Sequence, residues 1–189
     1  MRRSIALTTL ALAALAAPAT AQTFGFGAHA GVSLPVGDYG DVAGTGFLGG
    51  LDLWYPLTAA APALTWYTSV DAIAHDAEAE ATDGGFLFVP AMTGIRIDGA
   101  LGPVSAFVTG QLGLVLSKGP SLDLDAADGI DADWGTDFGF NVGAGLQLTE
   151  YIYAGVAYYP LGGMDFEYED STVEQDVSFV DIYVGFGVH

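Results

Sequence analysis

Few side chains in this sequence can do chemistry, and their spacing limits what that chemistry is. Histidine occurs three times, at 29, 75 and 189, and cysteine not at all, which excludes thiolate catalysis, thiolate metal sites and disulfides. His29 and Ser33 stand four positions apart in AHAGVS. In an extended chain that spacing puts both side chains on one face, yet about 13 Å apart, too far for a base to hydrogen-bond a nucleophile directly. A histidine so placed reads more simply as an interior residue satisfied by its neighbours. His75, read as a loop residue, and the terminal His189 add no cluster to it.

The acidic stretch SLDLDAADGIDADWGTD, 121–137, has the look of a calcium loop. Ala127 falls at the third ligand position, however, and no bidentate glutamate follows at the required offset. Weak, nonspecific binding of divalent cations by acidic loops is the most it offers, and a solvated loop suited to high salt is the simpler reading. No glycine-rich loop opens a helix, so there is no phosphate cradle. The expectation is no catalytic residue, no metal ligand and no cofactor. What is left is Arg96 with the carboxylates Asp52, Asp71 and Asp181, and their meaning depends on which face of which element carries them.

The stretch DFGFNVGAGLQL, 137–148, sets the pattern. Phe138, Phe140, Val142, Ala144, Leu146 and Leu148 alternate with Asp137, Gly139, Asn141, Gly143, Gly145 and Gln147, a period of two that makes a strand with one apolar and one polar or glycine face. The same alternation recurs over 23–35, 45–56, 63–74, 86–98, 103–117, 151–160 and 178–189, for eight strands in all. Each is long enough to cross a bilayer at a tilt. Between them, long connections (36–44, 75–85, 118–136, 161–177) alternate with short ones (57–62, 99–102, 149–150). The long ones carry most of the acidic residues and the short ones only Glu150. All long loops therefore leave one end of the sheet, the signature of an up-and-down antiparallel transmembrane β-barrel.

The uncharged run 99–117 holds four glycines and a proline with polar residues at alternate positions, which argues against a spanning helix. A soluble sandwich or lipocalin-like ligand-binding barrel has the same periodicity, with its apolar face turned inward. The second face here is mostly glycine, a poor solvated surface but a fitting interior for a narrow barrel. Aromatic residues also gather at strand ends: Phe24, Tyr55, Trp66 and Tyr151 by the short turns, and Phe86, Phe88, Phe138, Tyr158 and Tyr159 by the long loops. These read as two membrane girdles.

The ends and the charge bound the setting. MRRSIALTTLALAALAAPATAQ reads as a secretory signal peptide over 1–21, with cleavage after Ala19-Thr20-Ala21 and the barrel domain over 22–189. The mature chain then has Arg96 and Lys118 against all 23 acidic side chains, a net charge of −21, which excludes nucleic acid as a partner. At 51% hydrophobic residues, disorder is excluded as well.

In GFGAHAGVSLPVGDYGD, GTGFLGGLDLWYPL and the closing FVDIYVGFGVH, the chain resembles the small eight-stranded outer-membrane barrels of the OmpA, OmpX and opacity-protein type, and the resemblance covers essentially all of 22–189. The resemblance implies a Gram-negative-type outer membrane with loops outside and termini in the periplasm, outer-membrane lipids and the barrel-assembly machinery as partners, and a monomer. That machinery reads a terminal aromatic residue in such barrels, whereas this chain ends on His189 with Phe186 inside. The function expected is structural, envelope-stabilising or surface contact without catalysis. A lipid-modifying outer-membrane enzyme, with His29 as its base, is the alternative from another class. Within the barrel, Arg96 is expected to face inward and to pair with Asp52, which lies near the same short-turn end. Asp71 and Asp181 are expected nearer the loops, with His29, Gln111 and Asn141 as further interior polar residues.

Overall fold

The computed structural model describes residues 24–57, 63–78, 82–122, 133–168 and 171–188. Residues 1–23, which include the expected signal peptide, most of the acidic stretch 121–137 and His189 lie outside them. Eight long strands close into one ring: β1 (Gly25–Pro35), β2 (Gly46–Pro56), β3 (Leu64–Asp76), β4 (Gly85–Leu101), β5 (Val104–Lys118), β6 (Gly135–Gln147), β7 (Ile152–Tyr168) and β8 (Ser171–Val188). Each pairs antiparallel with the next in the chain, and β1 closes the ring on β8 with Phe26 opposite Val188 and Leu34 opposite Val180. Closure leaves no free edge strand, which is why a sheet can sit in lipid at all.

The alternation divides the ring into an outside and an inside. Phe47, Leu51, Val108, Leu112, Val142, Val184 and Phe186 all point outward and are exposed, while Asp52, Asp71, Arg96, Gln111, Asn141 and Asp181 are buried. This is a soluble protein turned inside out. A lipocalin-like barrel would do the reverse, so that reading is set aside. No helix among the described residues is long and apolar enough to cross a membrane; the crossing is made by strands.

Glycine on the inner face makes room for large side chains. A Cβ at Gly185 would overlap the Tyr153 ring, one at Gly145 the Phe107 ring, and one at Gly25 or Gly187 the Trp54 indole. The lumen is thereby filled in tiers rather than open. At the loop end, a 3-10 turn Gly37–Asp41 enters through Gly37, whose φ of 63° suits glycine, and lowers Tyr39 into the barrel mouth. The Tyr39 ring meets Phe86 and Phe88 edge-on, at 5.3 and 6.0 Å between centroids. Phe166, Phe179, Met164 and Val177 complete this apolar plug.

Three expectations need correction. The segment 161–177 is not a loop: β7 runs on to Tyr168 and β8 begins at Ser171, laddered from Ser171↔Tyr168 to Val177↔Gly162. Its acidic side chains suggested a loop, yet Met164, Phe166 and Val177 are buried among them, because the hairpin continues upward with one face on the plug. His75 is likewise no loop residue. It lies in β3, 2% exposed, with Nδ1 donating to the Gly44 carbonyl at 3.1 Å. Finally, Phe86, Phe88 and Tyr159 point inward and belong to no girdle. At the short-turn end the girdle is as expected, with Phe24 stacked on Tyr55 at 6.1 Å and Tyr151 on Phe186 at 5.8 Å.

Candidate functional site

The polar residues of the lumen meet at His29. Its register neighbours across both flanking ladders are glycines, Gly50 on β2 and Gly185 on β8. A Cβ at Gly50 would collide with the His29 ring and with the Asp71 carboxylate. The empty place lets the imidazole on β1 reach past β2 to β3. Nδ1 lies 2.9 Å from Asp52 Oδ2 in a hydrogen bond, and Nε2 lies 2.9 Å from Asp71 Oδ1. The second approach is a charge contact without hydrogen-bond alignment, since Asp71 Oδ1 accepts no hydrogen bond. Both ring nitrogens thus face carboxylate oxygens, one on β2 and one on β3.

Around this pair the donors are hydroxyls and an amide. Tyr67 OH donates to Asp52 Oδ1 at 2.6 Å, and Tyr153 OH donates to Asp52 Oδ2. Ser69 Oγ and Tyr159 OH each donate to Asp71 Oδ2 at 3.3 Å, and Gln111 Nε2 donates to Ser69 Oγ at 3.4 Å. Five strands are thus tied through the lumen. A carboxylate in a closed interior needs such partners, because an uncompensated one costs several kcal/mol. Asp181, on β8 opposite Ser33, faces the same space and leaves Oδ1 unpartnered. The cavity among His29, Asp71, Asp181 and Tyr159 measures ≈ 10 Å³, room for about one water molecule. It is neither a pore nor a ligand chamber.

Arg96 faces inward, 6% exposed, but its carboxylate is not Asp52. Nε and Nη2 grip Asp98 at 2.9 and 2.7 Å, Nη2 also donates to Gln147 Oε1 at 3.2 Å, and the guanidinium lies 4.0 Å over the Phe107 ring. The physical reason is local. Asp98 follows on the same face of the same strand, within reach without crossing the lumen, while Asp52 is already occupied by one imidazole and two phenols. Asn141 is 1% exposed, and neither atom of its amide has a partner. Sequence reasoning missed the role of Tyr67, Tyr153 and Tyr159. Their parity was the available signal: Tyr67 shares a face with Asp71 in β3, and Tyr153 and Tyr159 share one in β7. Among the described residues, no group of three or more metal-ligating side chains is placed to hold a metal ion.

A closed eight-stranded up-and-down ring, apolar outside and filled with a hydrogen-bonded polar network inside, is a small transmembrane β-barrel. Comparison with family models finds no match, and comparison with curated protein sequences finds none either. Solved structures do match, small outer-membrane barrels like those the sequence resembles among them. Neisserial surface protein A superposes with a TM-score of 0.54 at 17% identity, covering 89% of this chain and 99% of its own. Ail, the attachment invasion locus protein of Yersinia pestis, gives 0.50 at 13% identity over 88% and 97%. The outer membrane protein OprG from Pseudomonas aeruginosa gives 0.50 at 12% identity over 89% and 97%. At these identities the likeness is one of fold.

Proposed function

We propose that this chain is a monomeric, non-catalytic barrel of a Gram-negative-type outer membrane, with its long connections outside, its termini in the periplasm and a structural or surface-contact role. One observation carries the reading: along the middle of the strands the exposed surface is an apolar belt, while Asp52, Asp71, Arg96 and Asp181 are buried in a lumen packed with side chains. The belt fits lipid chains, and the net negative charge collects in the connections and the β7–β8 hairpin, where it meets water.

A catalytic role finds no support in the lumen. His29 spends both nitrogens on carboxylates and has no nucleophile among its hydrogen-bond partners. Folded barrels of this kind resist detergent at room temperature. The test is a gel of the membrane-extracted protein, unboiled and boiled: two mobilities converging on heating are expected, together with recovery in the outer-membrane fraction. A single, heat-independent mobility and release in the soluble fraction would overturn the reading.

A further inference from the structure

The wall of the barrel is not uniformly laddered. Adjacent strands elsewhere pair along most of their shared length, but β6 and β7 pair only from Val142↔Tyr158 to Gln147↔Tyr153. Above that point Gly135 to Asn141 have no ladder partners on β7, although the strands stay alongside in the same register. A Cβ on Gly139 would meet the Leu161 side chain at 2.8 Å, and one on Gly135 the Asp165 carbonyl at 3.4 Å. The chain supplies the reason. Pro160 has no N–H to give, and Leu161 is skipped in the ladder to β8, where the register shifts between Val177 and Ser178. Gly162 then takes a φ of 73°.

The result is a stretch of wall, here called a window, that is held by side-chain contact and not by ladder hydrogen bonds. Leu161 spans it, half-buried against the core, with Val115 and Met92 behind the bare Gly139. Outside it stand the exposed rings of Phe138, Phe140 and Tyr158, part of the apolar belt. At its foot is Asn141, fully buried, with both its amide N–H and its carbonyl unpartnered. An amide buried without partners, here with Gln111 as its register neighbour on β5, costs free energy that a ligand offering one donor and one acceptor would recover. Asp137 and Asp165 stand toward the window's upper end, so an anionic group is disfavoured there.

We propose that the β6–β7 window binds a neutral single-chain amphiphile drawn from the membrane, its hydroxyl or amide end reaching Asn141 and its chain lying out through the window among Phe138, Phe140 and Tyr158. The proposal rests on the transmembrane reading, because only a wall bathed in lipid presents such a molecule to the window.

The test uses the full barrel in lipid vesicles containing a monoacylglycerol with a diazirine in its chain, and maps the photolabelled residues by mass spectrometry. The heat shift on the gel is recorded for every sample. Labelling is expected to concentrate on 135–141 and 159–163, to saturate against unlabelled monoacylglycerol, and to exceed that of the matching fatty-acid anion. Asn141→Leu removes the polar anchor without leaving a buried polar group unpaired, so the barrel stays folded while labelling falls roughly tenfold, the scale of one lost donor–acceptor pair. Leu161→Trp fills the window and lowers labelling as well. Labelling spread evenly around the belt, unsaturable and indifferent to Asn141→Leu would mean annular lipid with water at Asn141, and would overturn the proposal. Absence of the heat shift in the unaltered protein would instead sink the transmembrane reading.

Discussion

Gly50 matters for the side chain it lacks. Its place under the His29 ring lets one imidazole serve two carboxylates on two other strands. Gly50→Val should therefore destabilise the barrel by about 1–3 kcal/mol through overpacking. Gly49→Ala, one residue along and facing outward with no side chain near it, should change stability by less than ~0.5 kcal/mol in urea unfolding from vesicles. His29→Ala leaves Asp52 and Asp71 without the imidazole between them and should cost about 3–5 kcal/mol, and Asp52→Asn in that background should recover part of it. His29 and Arg96 are separable by the same measurement. Arg96→Met should couple more strongly with Asp98→Asn than with Asp52→Asn, because the guanidinium is held by Asp98 at 2.7 Å. A larger coupling to Asp52 would contradict the network described.

At the scale of the strand, facing decides what a substitution costs. Val142 lies outward, 52% exposed, and the adjacent Asn141 lies inward at 1%. Val142→Arg should cost about 2–4 kcal/mol in folding yield into vesicles, because the charge must enter hydrocarbon. Asn141→Ser, which exchanges one interior polar group for another, should cost clearly less; equal penalties would mean the facing is wrong. The β7–β8 hairpin makes a second point at this scale. Glu174 and Asp176 are exposed on it while Val177 and Phe179 beside them are fully buried, so acidity along a segment marks a wet face and not the absence of a strand.

For the whole molecule, the two ends of the barrel differ. The loop end is capped by Tyr39, by the aromatic plug and by a short ribbon pairing Thr82–Asp83 with Ser121–Leu122. On the orientation proposed, a broad-specificity protease added to intact cells should cut within 119–134 and spare 161–177, because the latter is laddered through Ser171↔Tyr168. Cleavage only after permeabilisation would reverse the orientation, and rapid cleavage inside 161–177 would contradict the extended hairpin.

The sequence alone determined the eight strands and the facing of most of their residues, because a period of two is a local property: it told Val142 from Asn141 and put Arg96, Asp52, Asp71 and Asp181 on one side of the wall, while it left 161–177 as a loop and Phe86, Phe88 and Tyr159 in a girdle. Alternating connection lengths pointed to the up-and-down order, although the last of the long connections, 161–177, is laddered strand and not loop. Only the tertiary structure decided who meets whom across the lumen. Partnership there depends on axial height and on the room left by Gly50 and Gly185, which no spacing along one strand encodes. Hence Asp52 went to His29, Tyr67 and Tyr153, and Arg96 to Asp98 on its own strand. The missing ladder between β6 and β7 was hidden for the same reason. Pro160 and Gly162 were visible in the sequence, but the opening exists only because β6 keeps its register beside a strand that has bulged at Leu161.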